Sequence, residues 1–344
     1  MALIHCSLRL CIRTLCTVAV FLILCGAALH AQSQSAPSPD AAAPPSHPPS
    51  DDSREDLTSL VLANSNLRAN PPLAGEVVHS SAYTRELIRV QWRPNDPIDL
   101  YVIRPVGKPN PPVVLFLYGY PSESDRFHDE KLCSNLIKDG FAAVGFVSAL
   151  TGQRYHDRPM NEWFVSELHD SLVMTVHDVQ MILNYLDTRH DLDTSRIGIF
   201  GQGSGGAIAV LAASVDGRLK AVDLMDPWGD WPDWVAQSPQ IPEAERTHFQ
   251  EAQFLAGIAN LDPVKYIPRL DMRPVRIQQN AFNLALPQRV REHFDSLASE
   301  RVSVVTYHDT AEYAQRVSNN ARMLDWLHTQ LSSPAMQHPT SGAE

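Results

Sequence analysis

Ser195-Arg196-Ile197-Gly198-Ile199-Phe200-Gly201-Gln202-Gly203-Ser204-Gly205-Gly206-Ala207-Ile208-Ala209-Val210 decides how the chain is read. The apolar run Ile197 to Phe200 is strand-like, and the glycines at 201, 203, 205 and 206 make a turn. Small and apolar residues then continue from Ala207 as a buried helix. The unit is therefore strand, tight turn, helix. Outward from it, Leu168, Leu172, Val176, Val179, Leu183 and Leu186 fall at helical spacing on the N-terminal side, predicting a helix from about Val165 to Asp187 with one face on a sheet. On the C-terminal side Ala221-Val222-Asp223-Leu224-Met225-Asp226 is strand-like.

The stretch resembles the nucleophile elbow of the α/β-hydrolases, in which G-x-S-x-G places a serine on a strained turn above a parallel sheet. Two registers compete. Centring the elbow on Gly203 puts Gly201 and Gly205 at the flanks, where strand and helix approach too closely for side chains. Centring it on Ser204 puts the long Gln202 at one flank. Sterics favour Gly203, and glycine accepts a positive φ without strain. The segment from His177-Asp178 to Tyr185-Leu186, with Asp193 and Arg196-Ile197-Gly198, further resembles dienelactone-hydrolase, acetyl-xylan-esterase and prolyl-oligopeptidase-like proteins. The resemblance covers roughly residues 85–330 and implies an α/β-hydrolase fold.

The rest of the chain agrees with that fold class. Glu86 to Trp92 and Ile98 to Ile103 alternate with period two across Asn95-Asp96-Pro97, as an antiparallel hairpin does. Val113 to Leu117 is an unbroken apolar strand of the kind covered on both faces. A helix around Phe127 to Lys138 and a strand Ala142 to Val147 follow. After Asp226 the alternation is interrupted over about residues 228–270, where the resemblance implies a cap, with a helical stretch near Glu243 to Ile258. Pro274 to Gln279 and Val302 to Tyr307 are the last strands, and a helix from about Ala311 to Leu331 closes the domain. Strands alternating with helices predict a mostly parallel sheet with helices on both faces and an antiparallel hairpin at its start.

A serine hydrolase needs a nucleophile, a base, an acid and oxyanion donors. At the elbow the favoured register gives Gly203, which has no hydroxyl. Where the family usually reads H-G-x-x-D, this chain reads Gln279-Asn280-Ala281-Phe282-Asn283, so the acid position falls on Asn283. Where the family commonly reads Y-P-G-A-G-H, alignment on Tyr307 puts the histidine position on Glu312. The oxyanion strand leads into Tyr118-Gly119-Tyr120, so Gly119, Tyr120 and the Ser204 N–H are the candidate oxyanion and binding positions. Three departures in three independent registers point to a fold kept without its triad. The alternative is a rewired hydrolase with Ser204 as nucleophile, His308 as base and Asp226 as acid. Of Trp228, Trp231 and Trp234, cap packing is one reading, and an exposed aromatic platform for a sugar or apolar ligand is the other.

Arg9 and Arg13, the apolar run Leu15 to Leu29 and the end Ala28-Leu29-His30-Ala31 have the plan of a secretory signal peptide over 1–31, with a retained membrane anchor as the rival reading. Residues 32–54 are a Pro/Ser/Ala-rich tether without apolar periodicity, 55–332 the folded domain and 333–344 a tail. The expected location is secreted or periplasmic, with no membrane insertion after cleavage. Of the 5 cysteines only Cys133 lies outside the leader, so it reads as a buried apolar side chain. The net charge of −11 argues against a nucleic-acid partner. His156, His169 and His177 lack metal-ligand spacing, and no Lys-Ser/Thr follows Gly206 to make a phosphate loop. Neither a metal nor a cofactor is expected, and the partner expected is a small-molecule, peptide or ester ligand.

Overall fold

The computed structural model describes residues 56–120, 124–150, 154, 166–270, 273–318 and 320–332. The expected leader, tether and tail, and His156, lie outside them. Among the described residues nine strands form one sheet in the order β1-β2-β3-β5-β4-β6-β7-β8-β9. They are β1 Leu73–His79, β2 Tyr83–Arg93, β3 Asp96–Pro105, β4 Pro112–Leu117, β5 Ala142–Gly145, β6 Asp193–Gln202, β7 Leu219–Met225, β8 Val275–Asn280 and β9 Val302–Tyr307. The first three pair antiparallel, β3 pairs antiparallel with β5, and every pairing from β4 and β5 onward is parallel.

The helices are α1 Leu57–Leu60, α2 Glu130–Leu136, α3 Leu168–Leu186, α4 Ser204–Val215, α5 Trp231–Gln237, α6 Glu243–Phe249, α7 Ala252–Ala259, α8 Pro263–Tyr266, α9 Gln288–Ser296, α10 Thr310–Ser318 and α11 Asn320–Ser332. Successive residues of β4 serve opposite faces. Val113, Leu115 and Leu117 join the core with α3 and α4, whereas Val114 and Phe116 join the core with α2 and α11. This two-sided burial is why β4 reads as an unbroken apolar run.

Local differences from the sequence reading have local causes. Strand β1 is an additional edge strand, exposed over most of its length, so no alternation announces it. The helix expected around Phe127 is a 3-10 turn, Ser124–His128, followed by α2, because Asp129 caps the new helix by accepting the Leu132 N–H at 2.6 Å. The cap stretch breaks into α6 and α7, since Glu251 is extended at φ −60°, ψ 139°. The closing helix is likewise two, α10 and α11. Trp228, Trp231 and Trp234 are buried and pack together, Trp228 against Trp234 at 4.7 Å, so the exposed platform is replaced by cap packing. Cys133 is buried and free.

Inside α3 the buried Asp178 accepts from Trp92 Nε1 and from Arg154, each at 2.7 Å, and from Arg93. Arg154 also pairs with Asp96. These charges tie the β2–β3 hairpin to α3, and the two guanidiniums hold the Asp178 carboxyl below the usual carboxylate range despite its burial. Among the described residues no helix is long and apolar enough to cross a membrane.

Candidate functional site

Strand β6 delivers the chain to the elbow, and Gly203 holds its apex at φ 55°, ψ −120°. The backbone alone fixes this turn. Gly203 N–H donates to the Met225 carbonyl at 2.9 Å, and its carbonyl accepts from Trp228 N–H and Gly206 N–H, each at 3.0 Å. A Cβ on Gly201 would stand 2.4 Å from the Gly205 carbonyl oxygen, and one on Gly205 would stand 2.1 Å from that of Leu117. Those positions therefore exclude any side chain. At Gly203 itself a Cβ would meet Trp228 Nε1 at 3.4 Å and Gly119 Cα at 3.7 Å, both ordinary contacts. The apex thus has room for a side chain and carries none.

Ser204 is the first residue of α4, not the apex. Its side chain is 1% exposed and its Oγ accepts the Tyr120 N–H at 2.9 Å. The turn after β4 can come this close because Gly119 lies against Gln202, where a Cβ would be 2.6 Å from the carbonyl oxygen. Tyr118 faces elsewhere, stacked on Phe116 and covered by the Arg126 guanidinium at 4.6 Å from its ring centroid.

Strand β7 ends at Met225 beside the apex, and Asp226 follows in a left-handed conformation at φ 46°. Burial pushes the Asp226 carboxyl up to about 6, while hydrogen bonds pull it back down. Oδ1 accepts from Asn280 N–H at 2.7 Å and Oδ2 from Asn283 Nδ2 at 2.9 Å. The two candidate acid positions, Asn283 and Asp226, are therefore bonded to each other. Asn283 Oδ1 also accepts from Ala285 N–H at 3.0 Å, which fixes the amide's orientation. Tyr313, on α10, lies near this carboxylate, and burial together with the Asp226 charge raises its hydroxyl to about 12.

The remaining candidates face away. Glu312 is exposed and its nearest cation is Arg316, one helical turn on, at 3.6 Å. His308 is exposed at the end of β9, and the positive charge acting on Asp226 is that of Arg291. The structure therefore groups Gly203, Ser204, Tyr120 and Trp228, and beside them Asp226, Asn280 and Asn283. It joins neither His308 nor Glu312 to either group. Sequence reasoning did not find Trp228 at the apex, Asn280 on Asp226, or Tyr313 as the α10 residue near the carboxylate.

Chemically the apex offers backbone and an indole, and its neighbour offers a buried carboxylate already engaged by two amide donors. Among the described residues no group of three or more His, Cys, Asp or Glu could hold a metal. A separate cleft of about 540 Å³ opens between the cap and the start of α3, lined by His169, His248, Glu251, Phe254 and Ile258.

Residues 98–266 match the model of the dienelactone hydrolase family. Among solved structures the chain is similar to an acetyl xylan esterase from Paenibacillus sp. R4, with 16% identity and a TM-score of 0.55 over 77% of this chain and 92% of that one. It is similar to acetyl xylan esterase 1 from Thermoanaerobacterium sp. JW/SL YS485, with 13% identity and a TM-score of 0.59 over 78% and 94%. An acylaminoacyl peptidase from Pyrococcus horikoshii shares 16% identity and a TM-score of 0.55 over 73% of this chain and 41% of its own. No curated protein matches the chain.

Proposed function

We propose that this chain, which has the α/β-hydrolase fold and matches the dienelactone hydrolase family over residues 98–266, is an exported protein that keeps the scaffold of the serine esterases and peptidases without triad chemistry, and works by binding a small-molecule, peptide or ester ligand. The observation that carries the reading is the apex. Gly203 takes the strained conformation of a nucleophile and has no atom with which to attack. Asn283 at the acid position and the outward-facing Glu312 support it, since an attacking hydroxyl also needs a base within hydrogen-bond reach. Export rests on the leader with Arg9 and Arg13, and finding Met1 on soluble protein recovered from the producing cell would refute it.

The rewired hydrolase built on Ser204, His308 and Asp226 requires the Ser204 hydroxyl to reach an imidazole. That hydroxyl is buried against Tyr120 N–H, and His308 is exposed. A fluorophosphonate probe and a small activated ester separate the two readings, because both report an activated serine. The expected result is no labelling and no turnover above buffer for the wild type, and little for Gly203→Ser, which gains a hydroxyl without a base. Labelling or turnover of the wild type that disappears in Ser204→Ala would overturn the proposal.

A further inference from the structure

In this fold the oxyanion is held by two backbone N–H groups, that of the residue after the nucleophile and one from the loop after the strand carrying the H-G motif. Here those groups are Ser204 N–H and Tyr120 N–H. The second already has an acceptor inside the protein, Ser204 Oγ at 2.9 Å. We infer that the Ser204 hydroxyl is a built-in occupant of the oxyanion position, and that it makes this site select against ligands presenting an acyl or carboxylate oxygen at the apex. The inference rests on the reading of Gly203 as an apex without triad chemistry and narrows it: a peptide or ester ligand binds without its acyl oxygen at the apex.

Three features hold the occupant in place. Ser204 is fixed by the first turn of α4, whose backbone cannot shift because Gly201, Gly205 and Leu117 are in contact. Ser204 is 1% exposed, so the accepting hydroxyl is closed to water although Tyr120 is only half-buried. The Tyr120 backbone is brought to it by the close packing of Gly119 on Gln202. An incoming carbonyl oxygen would have to reach donors at about 2.7–3.1 Å to be stabilised. It can do so only by breaking the buried bond between Tyr120 and Ser204 and leaving the hydroxyl without its donor. Trp228 adds to the closure, its Nε1 lying 3.4 Å from where a Gly203 side chain would begin.

The test follows the Tyr120 amide in the full chain labelled with ¹⁵N-tyrosine, the resonance being assigned through Tyr120→Phe. Acetate is the probe, because it is a small ion whose carboxylate oxygen can accept from an oxyanion donor. In the wild type the amide is expected to exchange slowly and to keep its shift on addition of acetate. In Ser204→Ala it should exchange faster by about tenfold, as loss of one buried hydrogen bond implies, and should shift saturably with acetate. Ser204→Thr, which restores a hydroxyl, should return it toward the wild-type rate.

A wild-type amide that shifts with acetate would overturn the inference without any variant, so misfolding of Ser204→Ala leaves the test intact. An amide unchanged in Ser204→Ala would equally overturn it. A released amide that still ignores acetate would show that Ser204 is not what excludes the oxygen. None of these outcomes touches the absence of triad chemistry, which fails only if the fluorophosphonate labels the wild type.

Discussion

Placing alanine at Gly205 and, separately, at Gly203 tests the elbow register through stability. At Gly205 the new Cβ would stand 2.1 Å from the Leu117 carbonyl oxygen, 2.6 Å from its carbonyl carbon and 3.0 Å from the Tyr118 oxygen, all backbone atoms. Relief requires α4 and the end of β4 to separate by roughly 1 Å, since no rotamer can yield; overpacking of this kind costs about 1–3 kcal/mol and more where the backbone must move. We place the cost near 4 kcal/mol, offset by about 1 kcal/mol from the better helix propensity of alanine. At Gly203 the Cβ comes no closer than 3.4 Å to any neighbour, the Trp228 side chain. The cost there is the positive φ, about 1–3 kcal/mol. Urea denaturation of the two variants should therefore rank Gly205→Ala below Gly203→Ala, by up to about 2 kcal/mol, with unchanged m-values. If Gly205→Ala is as stable as the wild type, or the order is reversed, the close approach of strand and helix is wrong and so is the choice of apex.

Asp178→Asn should destabilise the domain by about 3 kcal/mol in the same assay, the low end for breaking a buried ion pair, because the Arg93 and Arg154 guanidiniums lose the buried carboxylate and keep only the less buried Asp96. For Asp226 the folded carboxyl titrates at about 6, above its ordinary value because of burial, so the stability it contributes is present at acid pH and is lost as pH rises from about 4 through 6. The difference in unfolding free energy between wild type and Asp226→Asn should accordingly fall by roughly 3 kcal/mol across that window, and a flat difference would refute the assignment. His328 has the opposite sign. Burial against Phe141, ring centroids 4.0 Å apart, holds its imidazole below the ordinary value, with Nε2 buried and unbonded and Asp139 3.3 Å from Nδ1. The wild type should lose stability relative to His328→Leu as pH falls below about 6.5, read from urea midpoints.

The parts of the site that lay in one contiguous stretch were legible, and the parts assembled from distant strands were not. Placing the apex on Gly203 needed only the size of Gln202 beside Gly201 and Gly205, because the approach of strand and helix is set by backbone sterics within six residues. The parallel sheet was legible for a similar reason: the apolar runs Val113–Leu117 and Ile197–Phe200 and the helical spacing of α3 are each local patterns. Exposed β1 carries no such pattern, and it was missed.

Alignment on Tyr307 counted residues to Glu312, but a one-residue step on a helix turns the side chain by about 100°. In the structure Tyr313 packs against Tyr307, ring centroids 5.9 Å apart, and feels the Asp226 charge, while Glu312 is exposed. Asn283 and Asp226, considered as separate candidates for one role, turn out to be bonded across 57 positions of sequence. Ser204 and Tyr120 meet across 84. By itself, then, the sequence determined the fold class and the glycine at the apex, because steric exclusion acts between neighbours in the chain. Only the tertiary structure decided which hydroxyl fills the Tyr120 donor and which amide engages the buried carboxylate. A hydrogen bond depends on ångström-scale placement of two strands whose separation in space no local pattern records.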